Sequence, residues 1–144
     1  MLNTVHTKIA TLLATLEGTG KPLGIVYDDL LDKDEEVTSF PAVIIGLSRF
    51  SNEYLTNEEN IFGSTFTLYL VQETEIAGMS KANRILRQTT DTIIDTFATN
   101  WDQGATSEGH RIWWKINLGN SFYDSDEKQL YYELQLTTNL VFNN

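Results

Sequence analysis

The sequence LYYELQLTTNLVF, residues 130–142, decides the fold class, because apolar and polar residues alternate along it. Every second side chain of a β-strand points to the same side, so this alternation predicts a strand with one buried face. Thr138 alone interrupts the apolar face, which consists of Leu130, Tyr132, Leu134, Leu136, Leu140 and Phe142. At about 3.4 Å per residue the strand is about 44 Å long, whereas a compact chain of this length has a diameter of about 37 Å. We therefore expect the strand to overhang, to bend, or to lie against another copy of the chain.

Apolar periodicity elsewhere predicts two helices and four more strands. The helices are expected over about Asn3 to Glu17 and about Ser80 to Thr99, with Ser80 as the N-cap of the second. The strands are expected over residues 23–27, 42–50, 61–73 and 112–118, and a loop over residues 101–109. The order α-β-β-β-α-β-β predicts an α+β fold, with an antiparallel or mixed sheet of about five strands and both helices packed on one face. We expect residues 1–144 to form a single domain.

The charge balance argues against tight nucleic-acid binding. The chain has 20 acidic and 10 basic residues and a net charge of -10, the opposite of what a surface that grips phosphates requires. The densest acidic stretch is DDLLDKDEE, residues 28–36, which is expected to be a solvated loop. Its alternate acids have the spacing of a calcium loop, but Val37 and Val43 stand where that loop needs a glycine and a glutamate. We therefore predict no metal site.

The sequence also offers no signature of catalysis. It contains no cysteine, and its two histidines, His6 and His110, belong to no metalloprotease or nucleophile-elbow motif. The stretch Gly18–Lys21 resembles a phosphate loop, but it follows a helix and precedes a proline. We expect a protein that is not an enzyme, with no catalytic residue and no cofactor. The apolar runs are too short to cross a bilayer and no secretion signal is present, so we also expect no membrane partner.

Two groups of residues are candidates for a subunit interface. The first group shares the strand face opposite the core and combines aromatic and charged residues, as interfaces do: Tyr69, Trp113, Lys115, Tyr131 and Glu133. The alternative for the aromatic residues is that they only stabilise cross-strand pairs. The second group is Arg84 and Arg87, basic residues near the start of the second helix, where they oppose the helix macrodipole. The alternative for these is an ordinary solvated helix face, in which Arg87 pairs with Asp91.

The order of the predicted elements and their apolar patterns resemble the tail terminator family of long-tailed bacteriophages. The resemblance is carried by the N-terminal helix, by FPAVIIGLSRF at residues 40–50 running into the polar turn, by NIFGSTFTLYLVQE at residues 60–73, and by the helix RILRQTTDTIIDTF at residues 84–97 followed by two more strands. The resemblance implies a non-enzymatic ring, usually of six subunits, that caps the tail tube, ends its polymerisation and provides the surface to which the head docks. It also implies a tail tube protein and a head connector protein as partners, and a place in the virion after assembly in the bacterial cytoplasm. An acidic ring would let DNA pass without tight binding.

The polar stretch between the second and third predicted strands, residues 51–60, is expected to form the tip of a long hairpin. Long loops on rigid hairpins are commonly functional, so the tip is a candidate for docking to the tube or to the head. The candidate residues are Glu53, Tyr54 with its neighbour Leu55, Glu58 and Glu59. A surface tip without a partner is the alternative. At the level of the whole chain, the alternatives are another neck or head-completion protein and a non-viral α+β ligand-binding or regulatory module.

Overall fold

A computed structural model describes residues 2–32, 34–54, 59–105 and 110–143, and in these residues two helices lie on one face of a six-stranded sheet. The elements are α1 (Leu2–Ala14), β1 (Ile25–Tyr27), β2 (Ala42–Tyr54), β3 (Glu59–Glu73), α2 (Met79–Thr99), β4 (Asp102–Ala105), β5 (Arg111–Asp124) and β6 (Gln129–Asn143). The strand order is β1-β2-β3-β6-β5-β4, and β1 is parallel to β2 while the other neighbours are antiparallel. The mixed sheet is curled into a half-barrel.

The predicted strand count and element order are wrong. Strand β4 lies inside the stretch that was expected to be a loop, residues 101–109. The order of the elements is α-β-β-β-α-β-β-β, or α-β-β-β-β-α-β-β-β when seven strands are counted, and neither is the predicted order. Strand β4 escapes prediction because its sequence, DQGA, has no apolar alternation. It is held instead by pairing with β5, which is a contact between segments and not a local preference.

The long strand β6 is the centre of the sheet. It pairs with β3 along its whole length, from Glu59 opposite Asn143 to Glu73 opposite Gln129, and on its other side it pairs with β5. The predicted strand over residues 130–142 is therefore confirmed. Its length is accommodated by long neighbouring strands and by the curl of the sheet. The backbone N–H and C=O groups of β6 therefore find hydrogen-bond partners without a second copy of the chain.

The apolar core lies between the sheet and both helices. Side chains with no exposed surface come from α1, from α2 and from alternate residues of the strands, and they include Val5, Ile9, Leu13, Leu68, Leu70, Leu86, Ile93, Phe97, Ile112, Leu134, Leu136 and Leu140. The Trp114 indole Nε1 donates a hydrogen bond of 3.1 Å to the Phe97 carbonyl oxygen, so β5 is tied to the last turns of α2. The apolar side chains of the alternating strands and of one face of α2 thus pack together in one core layer.

Helix α2 begins earlier than its sequence predicts. The N-cap is Gly78, and Ser80, the predicted N-cap, lies inside the helix. Gly78 has a φ of 82°, a conformation that glycine adopts without the steric cost of a side chain. No side chain caps the helix, so backbone geometry, not the serine hydroxyl, sets its start.

Candidate interaction surface

The sheet face opposite the two helices, here called the outer face, carries five of the predicted interface residues. The register places Tyr69 opposite Glu133, and Tyr131 opposite Val71. On β5 it places Lys115 opposite Thr137 and Trp113 opposite Asn139. The candidates from β3, β5 and β6 therefore share one surface, as the alternation of the strands requires.

The acidic segment, described over residues 28–32 and 34–41, covers one end of this face. Ala42, Ile44 and Val71 are buried there, and Leu31, Val37 and Phe40 pack against them. The carboxylates of the segment stay exposed to solvent, so the segment is amphipathic without regular secondary structure. The described part of residues 28–36 is a solvent-exposed loop as predicted, except that Leu31 packs on the sheet; Val37 and Phe40, which follow it, bury more of the sheet.

Tyr131 belongs to this covered end. Its ring stacks on Phe122 with the centroids 4.7 Å apart, and its hydroxyl donates a hydrogen bond of 2.9 Å to the Gln129 side-chain oxygen. Burial raises the pKa of Tyr131, and the negative charges of Asp124 and Glu127 raise it further. Tyr131 therefore contributes to packing within the chain, and its side chain is only partly exposed to solvent.

Tyr69 is also held within the chain. Its ring lies so close to Gly46 on β2 that a Cβ atom built at Gly46 would be 2.6 Å from the ring. The ring therefore covers the backbone of the neighbouring strand, and only a residue without a side chain fits beneath it. Together with Tyr131, it borders the apolar cluster under the acidic segment.

The uncovered part of the outer face is polar. Three basic side chains, Arg49, Arg111 and Lys115, are exposed there, and Trp113 is half-buried. Arg111 forms an ion pair of 3.4 Å with Asp102 on β4. Arg49 borders a shallow depression of about 240 Å³, whose lining includes Thr65, Thr137 and Asn139. The opposite end of the outer face carries the exposed carboxylates of the acidic segment.

Arg84 and Arg87 are exposed on α2 and thus lie on the helix side of the sheet. The structure does not bring them together with the outer-face candidates. The tip candidates are also divided. Glu53 and Tyr54 end β2 and Glu59 begins β3, so part of the stretch predicted to be a loop is strand. Leu55 and Glu58 lie outside the described residues.

Two half-free sheet edges are a feature that the sequence analysis missed. The edge strands are short, since β1 covers only Ala42–Ile44 of β2 and β4 covers only Arg111–Trp113 of β5. Within the described residues, 46–54 of β2 and 115–124 of β5 therefore have one unpaired edge each. Large exposed apolar side chains concentrate on these edges: Phe50 on β2, and Leu118, Phe122 and Tyr123 on β5, four of eight in the described chain.

A groove of about 570 Å³ lies between the acidic segment and the end of the sheet at the β5–β6 turn. Its acidic lining comes from three segments and includes Glu36, Glu73 and Glu127. In the described ranges, no group of three or more histidine, cysteine or acidic residues has an arrangement that could hold a metal ion. No helix among these residues is long and apolar enough to span a membrane.

No protein-family model and no curated protein matches the chain. The described part of the chain presents an uncovered sheet face, exposed carboxylates at one end of that face, and two half-free edges with apolar side chains. Such features serve association with other protein surfaces.

Proposed function

We propose that the chain is a structural virion protein that assembles into a ring, caps the tail tube of a long-tailed bacteriophage, ends tube polymerisation and provides the surface for head docking. The observation that carries this proposal is the placement of exposed apolar side chains on two different edges of one sheet. A contact between two different patches is head-to-tail, and it generates a closed ring when the rotation between subunits closes. The resemblance to tail terminators supplies the type of ring, and it rests on the patterns of the segments, because the predicted element order, its other basis, is wrong.

The charge distribution supports the same function. The chain carries a net charge of -10, and the carboxylates of the acidic segment are exposed. A ring of such subunits repels the phosphate backbone, so DNA passes through it without tight binding. Arg49 and Lys115 are exposed on the outer face away from the acidic segment, where they suit contact with an acidic protein surface, while Arg111 is already paired with Asp102.

The proposed partners are further copies of the chain, with six as the expected number, the tail tube protein and the head connector protein. The purified chain should form ring-shaped particles in electron micrographs, with a mass six times that of one chain by light scattering. A monomer at every concentration would contradict the ring. A phage that lacks the corresponding gene should give overlong tails and unjoined heads, and the chain should restore complete virions.

The hairpin tip provides a more specific test of docking. Strand β2 reaches Tyr54 and pairs it with Asn60 on β3, so replacing residues 55–58 by two glycines keeps this pairing. The shortened protein should still form rings, because both edges and the core are unchanged, but it should fail to join tails to heads. Particle counts by microscopy after complementation measure this. Complete virions at the normal yield would show that head docking uses another surface.

A further inference from the structure

We propose that neighbouring copies join by antiparallel pairing of the free edge of β5 in one copy with the free edge of β2 in the next, with Phe50 opposite Leu118. This inference rests on the proposed ring and names the contact that builds it. The occupant of each edge is thus a second copy of this chain. The sheet then continues from one subunit into the next.

The directions of the strands fit this contact. The three antiparallel pairings from β2 through β3 and β6 to β5 make β2 and β5 run in opposite directions within one sheet. A second copy in the same orientation therefore presents its β2 antiparallel to the β5 of the first. Antiparallel strands pair without a crossover connection, so two separate chains can form such a pair.

The backbone of β5 has hydrogen-bonding groups directed to its free edge. The Trp114 N–H donates to the Trp101 carbonyl oxygen at 3.0 Å, which shows that this group points away from β6. N–H groups alternate in direction along a strand, so those of Ile116 and Leu118 point to the same edge. This edge lies beyond the reach of β4, whose pairing ends at Trp113. A neighbouring strand would satisfy these donors.

The side chains on both edges complement each other. Phe50 is 67% exposed, and its ring stacks on that of Phe62 at a centroid distance of 5.9 Å. Leu118 is 68% exposed and stands opposite the fully buried Leu134. Phe50 and Leu118 both lie on the helix-covered face, at the margins of its core. Pairing of the two edges would bury both side chains and make the apolar layer continuous between subunits.

The register also produces an offset that a ring requires. Within one sheet Phe50 lies at the level of Trp114, because both are aligned through Ser64 and Thr138. If Phe50 instead lies opposite Leu118 of the neighbouring copy, the two copies are displaced by four residues, about 13 Å along the strands. Such a stagger tilts the strands relative to the ring axis, as in closed barrels. On β2, residues 50–53 follow the register shift between Ile45 and Ser48. On β5, residues 115–118 precede the register shift between Leu118 and Ser121. The two stretches that would pair are therefore regular.

The chain contains no cysteine, so engineered cysteines report this contact without background. We would prepare Phe50→Cys, Leu118→Cys and the double variant, and oxidise each after assembly. Each single variant alone should give no cross-link, because the contact joins different edges. Co-expression of the two single variants should give dimers, and the double variant should give a ladder up to the full ring. Phe50→Cys with Ile76→Cys is the control, since Ile76 is 92% exposed and lies in the turn between β3 and α2, outside both edge strands, and it should give no ladder.

Proline and charge variants test the backbone and the face involved. Leu118→Pro removes an outward N–H without breaking a hydrogen bond of the described chain, so it should give monomers with unchanged circular dichroism. Leu118→Ala keeps the N–H and should assemble at a higher concentration. Glu133→Lys changes the outer face of the central strand β6, away from both edges, and should leave assembly intact. Dissociation by Glu133→Lys without dissociation by Leu118→Pro would overturn the edge contact in favour of the outer face.

Other outcomes separate this contact from the ring itself. Cross-linked dimers from Phe50→Cys alone would show a symmetric contact and overturn the inference. Rings of normal mass whose co-expressed single variants do not cross-link would overturn the edge pairing and leave the ring in place. A monomeric chain at all concentrations would overturn both, while the complementation assay measures the capping function independently.

Discussion

The two faces of the sheet differ in what covers them, although the same strands supply both. On β6, Leu134 is fully buried beneath the helices, whereas its neighbour Gln135 on the outer face is exposed. Two regular helices cover one face, while the irregular residues 28–32 and 34–41 cover only one end of the other. The same strands therefore bury one face in the core of the fold and leave most of the other face uncovered.

The neighbouring residues Leu134 and Gln135 on β6 should show the largest difference in stability between the two faces. Leu134→Ala should lower the free energy of unfolding by about 3 kcal/mol, because it removes buried methyl groups and leaves a cavity between sheet and helices. Gln135→Ala, one residue away on the outer face, should change it by less than about 0.5 kcal/mol. Urea unfolding of both variants measures the contrast. Similar losses for the two would contradict the assignment of the faces.

The two adjacent tryptophans of β5 sharpen the comparison. Trp114→Phe should cost about 1–3 kcal/mol, because the Phe97 carbonyl oxygen loses its indole donor in a buried site. Trp113→Phe should cost less, since Trp113 is half-buried on the outer face. Urea unfolding with circular dichroism at helix wavelengths tests this pair. A larger loss from Trp113→Phe would show that the outer face contributes more to folding than its burial indicates.

The acidic segment provides a test of the covered end. Val37→Asp places a charge in the apolar contact with the sheet and should cost about 1–2 kcal/mol. The segment should then detach more often, so a glutamate-specific protease should cut after Glu35 and Glu36 faster. Leu30→Asp is the matched control, because Leu30 is exposed and lies outside the apolar cluster. Equal cleavage rates for both variants would show that the segment is not held by its apolar residues.

The smallest expected effect is the pH dependence that Tyr131 contributes. Its folded pKa is raised from 10.0 by burial and by nearby carboxylates, so folding favours the protonated phenol. The free energy of unfolding should be unaffected by this group well below pH 10 and should fall as the pH rises through the unfolded value of about 10 towards the folded one. Tyr131→Phe should reduce this loss. Urea unfolding between about pH 8 and about pH 11 measures it, and an identical alkaline loss in the variant would contradict the shift.

Residues with strong local patterns were predicted well. The alternation of residues 130–142 located β6, and the helical stripe from Ala82 to Phe97 located α2 to within a residue of its start. The alternation also placed Tyr69, Trp113 and Tyr131 on one face. Strand β4 and the role of residues 28–41 were missed, because neither has a periodic pattern and both are fixed by contacts with distant strands.

The sequence alone determined which side chains share a face, since the period of a strand or helix is a local property of the backbone. It also determined the acidic charge and the absence of cysteine. Only the tertiary structure decided which face the helices cover, that the acidic segment packs on the other, and that the edges of β2 and β5 stay half free. These depend on strand order and on the short reach of β1 and β4, which arise from pairing between residues far apart in the chain.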